Sequence, residues 1–389
     1  MKKAGLRFLL AAGFIAAVIF LYQYGQVDRP ALVNTEGRIF QQGRVTEVIR
    51  DNRQEDGSRI GDQIVHVELK NPEGQIVEAN CPNGLLFGAV CEPGMHVIVI
   101  SSQIGALQLH TVYSMDRSVP IFSFIGVFLL LLCLIGGKKG VKSAVALLFT
   151  FSCFLFLFFP MLLRGIQPVM AAILTSFLVL FATVYLINGA TGKALAAGMG
   201  AAGGILTAGL TAFLFGKAAG LSGYNVANIE SLLFVGQNMP IQVGQILFAG
   251  ILFASLGAVM DIAMDIAAAV DELQRKKSGM AAKELFESGM NVGRDVMGTM
   301  ATTLILAFFG GSLGVWVLDY AYQLPYLQLI NSNAVGIEIM QGLAGSMGVI
   351  FTVPLTAAAY AWMPERLHCR DAWQQKAVPE KMAEYAEHH

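Results

Sequence analysis

Two acids stand inside an otherwise uncharged stretch of this chain, Asp261 and Asp265 in Leu256-Gly-Ala-Val-Met-Asp-Ile-Ala-Met-Asp-Ile-Ala-Ala-Ala269. A spacing of four residues places both carboxylates on one face of a helix, and that face also carries Gly250, Ala254, Gly257, Ala258 and Ala268. An aspartate at the centre of a membrane span costs about 2.5–3.5 kcal/mol, so it is retained where it meets water, a partner or the interior of a helix bundle. Two carboxylates one turn apart oppose each other's ionisation, and such a pair can keep a proton or hold a cation. The expected chemistry is therefore proton or ion coupling by Asp261 and Asp265, with both groups turned toward neighbouring helices. The competing reading is that this long run simply carries both acids out to the inner membrane surface.

The rest of the sequence supplies the setting. Of the 389 residues, 55% are hydrophobic and only 14% charged, which argues against a soluble protein. A net charge of −1 gives no basic field for nucleic acid. A hydrocarbon core of about 30 Å needs about 20 apolar residues per crossing. Runs that qualify lie at 4–22, 119–135, 143–163, 169–187, 194–215, 241–270, 296–318 and 339–362. The first follows Lys2, Lys3 and Arg7 but lacks a small-x-small cleavage site, so residues 1–23 are expected to remain as an anchor. With the N-terminus inside, the inner segments hold Lys138, Lys139, Lys142, Lys193, Arg275, Lys276, Lys277, Lys283, Arg294 and the basic residues of the tail, while the short outer loops hold only Arg164 and Lys217. The positive-inside rule therefore favours about eight spans with both termini cytoplasmic.

The fold expected is an all-α polytopic bundle with a small extracytoplasmic β domain between the first and second spans. That domain, residues 24–118, alternates polar and apolar residues in Arg44-Val-Thr-Glu-Val-Ile49, Ile64-Val-His-Val-Glu-Leu69 and His96-Val-Ile-Val-Ile100. Asn71-Pro-Glu-Gly74 and Pro93-Gly94 read as turns between strands of a barrel or sandwich. Cys81 and Cys91 lie ten apart and either pair as a disulfide outside the membrane or remain two free buried thiols. Residues 119–363 form the seven-helix membrane domain, and 364–389 a cytoplasmic tail. Within it, residues 271–294 combine charges with Met280, Leu285, Phe286 and Met290 at helical spacing, which suggests an amphipathic helix on the inner membrane face.

Three spans carry residues suited to meet the aspartates. Gly200 and Gly204 begin a small-residue repeat continued by Ala208 and Ala212, which lets helix backbones approach. The seventh span starts with Asn291, Arg294 and Asp295 and brings Gly298, Thr299, Thr302 and Thr303 to its inner half. The eighth has Gly345, Ser346, Gly348, Thr352, Pro354 and Thr356. Their hydroxyls either bond the carboxylates or bond back to their own helices.

The runs around Asp261 and Asp265, Val292-Gly-Arg-Asp-Val-Met-Gly-Thr-Met-Ala-Thr-Thr-Leu-Ile-Leu306, and Gly345-Ser-Met-Gly348 with Pro354-Leu-Thr356 resemble the YibE/F family of bacterial multi-pass membrane proteins. The resemblance covers about Val119 to Met363 and implies the bacterial cytoplasmic membrane. Where that family has a small or hydroxyl residue, Asp265 adds a second acid. The family's paired names hint at a second membrane protein of the same kind as partner, with a homo-oligomer as the other form. In layout the chain is also similar, more distantly, to SecD/SecF and resistance-nodulation-division permeases, where charged residues inside spans couple proton flow to work outside.

These readings lead to an ion- or proton-coupled transporter or export-assisting permease, Asp261 taking the proton and Asp265 acting as its electrostatic partner. The alternative is a non-transporting scaffold or accessory subunit whose outer domain binds a partner. Enzymatic function is not expected: an intramembrane aspartyl protease places its acids on facing helices, and the sequence holds no GxxxxGK[ST], GxSxG or HExxH. No cofactor or metal is expected either, since no Cys/His cluster has ligand spacing.

Overall fold

The computed structural model describes residues 18–27, 37–71, 74–82, 89–104, 107–226, 229–277 and 279–364. The first apolar run is thus described only at its end, where residues 18–24 are helical; the cytoplasmic tail lies outside the described residues, apart from its first position. The chain divides into two units, residues 29–134 and the remainder.

The first unit is built on five strands: β1 (Arg38–Arg50), β2 (Gln63–Leu69), β3 (Gln75–Cys81), β4 (His96–Ile104) and β5 (Leu107–Met115). They close a barrel in the order β1-β2-β3-β5-β4, antiparallel except where β3 meets β5. Small Greek-key barrels such as the OB-fold are built from the same number of strands. Strand alternation explains the interior: Val65, Val67 and Leu69 of β2 point inward with Val77 and Ala79 of β3, Val97 and Val99 of β4, and Val112 of β5. The expected turn at Pro93-Gly94 is present, while the centre of the one at 71–74 lies outside the described residues. Gly74 and Gly94 sit at φ +83° and +90°, which side chains with a Cβ adopt only under strain.

The second unit is helical. Helix α1 (Ser118–Cys153) passes through a π-helical stretch, Phe154–Phe158, into α2 (Phe159–Leu163). The two runs expected here are two helices joined at a kink, Gly137, whose φ of 53° and ψ of −133° are non-helical, and the boundary between the units falls beside it at 134–135. Then come α3 (Pro168–Asn188), α4 (Gly192–Ala219), the short α5 (Ile229–Asn238), α6 (Ile246–Lys276), α7 (Ala282–Gly311), α8 (Leu313–Ala321), α9 (Tyr326–Ile330) and α10 (Asn333–Ala361). Among the described residues six segments are long and apolar enough to cross a membrane: 118–163, 168–188, 192–219, 243–276, 282–311 and 333–361.

Sequence dictates the centre of this bundle. A Cβ on Gly200 would collide with Thr356, and one on Gly204 with Thr352 and the Gly348 carbonyl, so α4 and α10 touch backbone to backbone. Gly348 in turn lies against Ala208, and Gly345 against Leu304 of α7 and Ser255 of α6. Helix α6 packs Leu252, Leu256, Val259, Ile262, Ala263 and Ile266 into the same core. Gly257 and Gly298, also expected at helix contacts, meet nothing within 4 Å. Both face outward.

The amphipathic segment differs from expectation. Residues 271–276 complete α6 and 282–294 open α7, leaving only a short turn between them. The apolar residues that suggested a surface helix pack inward instead: Leu285 is buried, Phe286 lies 5.4 Å from Trp362 ring to ring, and Met290 borders the core.

Replacing Gly204 by Val should lower the melting temperature of the detergent-solubilised protein, overpacking of this kind costing about 1–3 kcal/mol. Gly126→Val, at an exposed position where a Cβ meets nothing within 4 Å, should leave it unchanged. Tryptophan fluorescence melting compares the two.

Candidate functional site

Helix α6 is enclosed on most of its circumference by α3, α4, α7 and α10. What remains outside is a narrow stripe of Gly250, Ala254, Gly257, Asp261, Asp265 and Ala268. The expectation that the two aspartates turn toward neighbouring helices is therefore corrected. The large residues of α6 occupy the inward faces, which leaves the small and acidic ones outside. Neither carboxylate makes a hydrogen bond or an ion pair among the described residues.

Helix α7 continues this surface. Over its inner half the exposed residues are Asn291, Arg294, Asp295, Gly298, Thr299, Thr302 and Thr303. The threonines were candidates to face Asp261, but each hydroxyl donates to its own helix, Thr299 to Val296 O at 2.8 Å, Thr302 to Gly298 O at 2.9 Å and Thr303 to Thr299 O at 2.9 Å. Local back-bonding satisfies a hydroxyl without any neighbour, and that need is strong in an apolar medium. Among the described residues the guanidinium of Arg294 donates only to Asn291, at 3.1 Å.

Two contacts fix how the antiparallel helices α6 and α7 align. Gly289 abuts Val270, and near the other end Leu304 and Ser255 both flank Gly345. Counting residue for residue from either contact gives one register. Asp265 is level with Arg294, Asp261 with Gly298, and Gly257 with Thr302.

Other side chains at these depths behave differently. Ser346 and Thr352 are buried, donating to Gly342 O at 2.7 Å and Gly348 O at 2.7 Å within α10. They belong to the core of the bundle rather than to the acidic stripe. The sequence reading also passed over Asp271, taken there as part of a solvated linker. It is buried at the inner end of α6, accepts a hydrogen bond from the Tyr360 hydroxyl at 2.9 Å and pairs with Arg275 at 2.8 Å. The signal available was its spacing of four from Arg275, which suits a helical ion pair. At the opposite side, Arg164 donates to Tyr24 O at 2.8 Å and lies 3.8 Å from that ring's centroid. The end of the first run is thereby tied to the end of α2.

In the barrel, Cys81 and Cys91 are both buried, their Sγ atoms 3.1 Å apart as free thiols. Cys153 is buried at the end of α1.

Residues 124–366 match the family described as YibE/F-like protein, more than half of the chain and nearly all of its helical part. The chain belongs to the YibE/F family. Comparison with curated proteins and with solved structures gives no match. In this YibE/F chain both the acidic stripe and the α4–α10 contact fall inside the matched region, whereas the barrel lies before it.

Removing the Asp271 carboxylate breaks both the hydrogen bond from Tyr360 and the ion pair with Arg275, a loss of about 3 kcal/mol for a buried pair. Tyr360→Phe removes only a hydrogen bond, about 1 kcal/mol. Melting in detergent should thus rank native above Tyr360→Phe above Asp271→Ala.

Proposed function

We propose that this integral membrane protein is a proton- or ion-coupled permease that assists export, with Asp261 and Asp265 as its coupling groups on a face closed by a second copy of the chain. One observation carries the reading. Helices α3, α4 and α10 present large apolar residues outward, such as Leu174 and Leu178, Leu206 and Leu210, and Leu343 and Phe351, as lipid-facing helices do. Between Ile246 and Val270, α6 exposes none. A stripe of glycine, alanine and aspartate at span depth is unsuited to hydrocarbon and suited to close helix contact.

Charge complementarity selects the partner. A two-fold axis along the membrane normal keeps every residue at its own depth, so Asp265 of one copy comes opposite Arg294 of the partner subunit. That pairing leaves Asp261 to take up and release a proton, in a polar seam lined by glycine and threonine. A membrane potential of 100 mV supplies about 2.3 kcal/mol per charge moved, enough to bias a two-state assembly more than tenfold. The tie between Arg164 and Tyr24 supports eight spans: it puts the ends of the first and third runs on one side, as both termini in the cytoplasm of a bacterial cell membrane require. The barrel would then stand outside and handle cargo.

The second reading, a scaffold whose acidic stripe only holds subunits together, is favoured by the absence, among the described residues, of an intrachain partner for the aspartates. Proteoliposomes loaded with a pH-sensitive dye separate the two. Asp261→Asn should reduce proton flux at least tenfold, while Asp295→Asn retains it; equal flux in native and Asp261→Asn proteins would eliminate coupling. Independently, Gly257→Cys in a cysteine-free background should crosslink to dimers under mild oxidation. Monomers alone would remove the second copy.

A further inference from the structure

Two thiols in the barrel have no part in this scheme, although the fold brings them together with some care. Cys81 ends β3, and the β2–β3 ladder pairs it with Gln63. Cys91 precedes β4, and the same Gln63 side chain, only 2% exposed, grips its backbone. Gln63 Oε1 accepts from Cys91 N at 2.8 Å, and Gln63 Nε2 donates to Cys91 O at 3.3 Å and to Asp51 at 2.9 Å. One buried amide thus fixes both cysteines, by the ladder on one side and by its own hydrogen bonds on the other. The sulfurs lie in contact at 3.1 Å, and the Cys81 thiol also donates to Ala89 O at 2.8 Å.

A buried glutamine spent on holding a cysteine backbone exceeds what two inert apolar fillers need. Disulfide bonding requires sulfurs about 2.05 Å apart, so small side-chain rotations suffice from here. We propose that Cys81 and Cys91 are a thiol–disulfide pair that staples the end of β3 to the chain entering β4, oxidised by exchange with a disulfide-bearing protein oxidant on the outer side of the membrane. The proposal rests on the outer placement of the barrel in the functional reading, because the cytoplasm keeps such pairs reduced.

The chemistry balances as two exchanges. The Cys81 thiolate attacks one sulfur of the oxidant's disulfide, and that S–S bond breaks to release a thiolate, which takes up a proton. Cys91 then loses its proton and attacks Cys81 Sγ, expelling the oxidant's second sulfur as a thiol. Two cysteine thiols lose two electrons and two protons, and one disulfide becomes two thiols. The order follows from electrostatics: the hydrogen bond from Cys91 favours a Cys81 thiolate, bringing it down to about 7 against the opposing effect of burial, while the same contact and burial push Cys91 up.

The test is thiol trapping in intact cells with acid quenching and a maleimide, followed by mass spectrometry of the full chain. The expected result is a Cys81–Cys91 crosslinked peptide, two hydrogens lighter than its reduced form, with two more reactive thiols appearing after dithiothreitol. Free alkylated Cys81 and Cys91 would overturn the proposal. Placement is read separately from Ser58→Cys, an exposed position, in a Cys81→Ser/Cys91→Ser chain with an impermeant maleimide. Labelling of whole cells together with free native thiols defeats the disulfide alone, and labelling only after lysis defeats the outer placement and the disulfide with it. If the serine chain does not fold, the purified native protein decides: in an oxidising glutathione buffer it should lose two thiols and melt several degrees higher, reversibly, and no thiol loss would refute the pair.

Discussion

The helical unit depends on the absence of side chains where α4 crosses α10. Gly200 and Gly204 bring the α4 backbone against Thr352, Thr356 and the Gly348 carbonyl, a contact that a single methyl group would disrupt. Lipid tails are as apolar as leucine, so burial gives helices little reason to associate in a bilayer, and close packing must supply it. Once these two helices meet, the large residues of α6 find their place in the grooves beside them, and α7 closes against α10 through Gly289 and Gly293. Each later contact has few alternatives.

That order of packing explains why the acids are outside. Isoleucine, leucine and valine on α6 gain most from the inward grooves, which the α4–α10 contact has already shaped. The opposite edge carries only small and acidic residues. If packing within one chain were the whole story, that edge would be expected to match the leucine-rich edges of α3, α4 and α10, because nothing in the fold of α6 needs two carboxylates there. The cost of an aspartate in hydrocarbon, about 2.5–3.5 kcal/mol each, is large against the few kilocalories that separate membrane-protein states. Among the described residues no hydrogen bond or ion pair offsets it.

Much of this was legible in the residue order. Hydropathy located the crossing segments, alternation located β1, β2 and β4, and the small-residue repeat picked out Gly200 and Gly204. The outward turn of Asp261 and Asp265 was not legible, for a physical reason. A stripe of glycine, alanine and acid suits close contact equally well inside a bundle and between bundles, and only the three-dimensional arrangement of the other faces decides between them. Thr299, Thr302 and Thr303 misled for a related reason, since a helical hydroxyl can satisfy itself locally and so carries little information about neighbours. Asp271 was missed because its partner Tyr360 is distant in sequence, and a charged residue at a helix end looks solvated until that partner is placed.

The three acids of α6 thus occupy two environments along one rigid rod. Asp271 is fixed within the chain by Tyr360 and Arg275 and anchors the inner end of the helix to α10. Asp261 and Asp265, two to three turns away, have no hydrogen-bond or ion-pair partner among the described residues and lie open on that face. A carboxylate already holding a cation and a phenol gains little from a further proton or a passing ion. An unpaired one changes its interaction energy most when either arrives, and it does so on a helix whose far end cannot yield freely. Any movement that follows a change of charge at Asp261 is therefore transmitted through α6 to its contacts with α4 and α10, which are too close-packed to absorb it by local repacking.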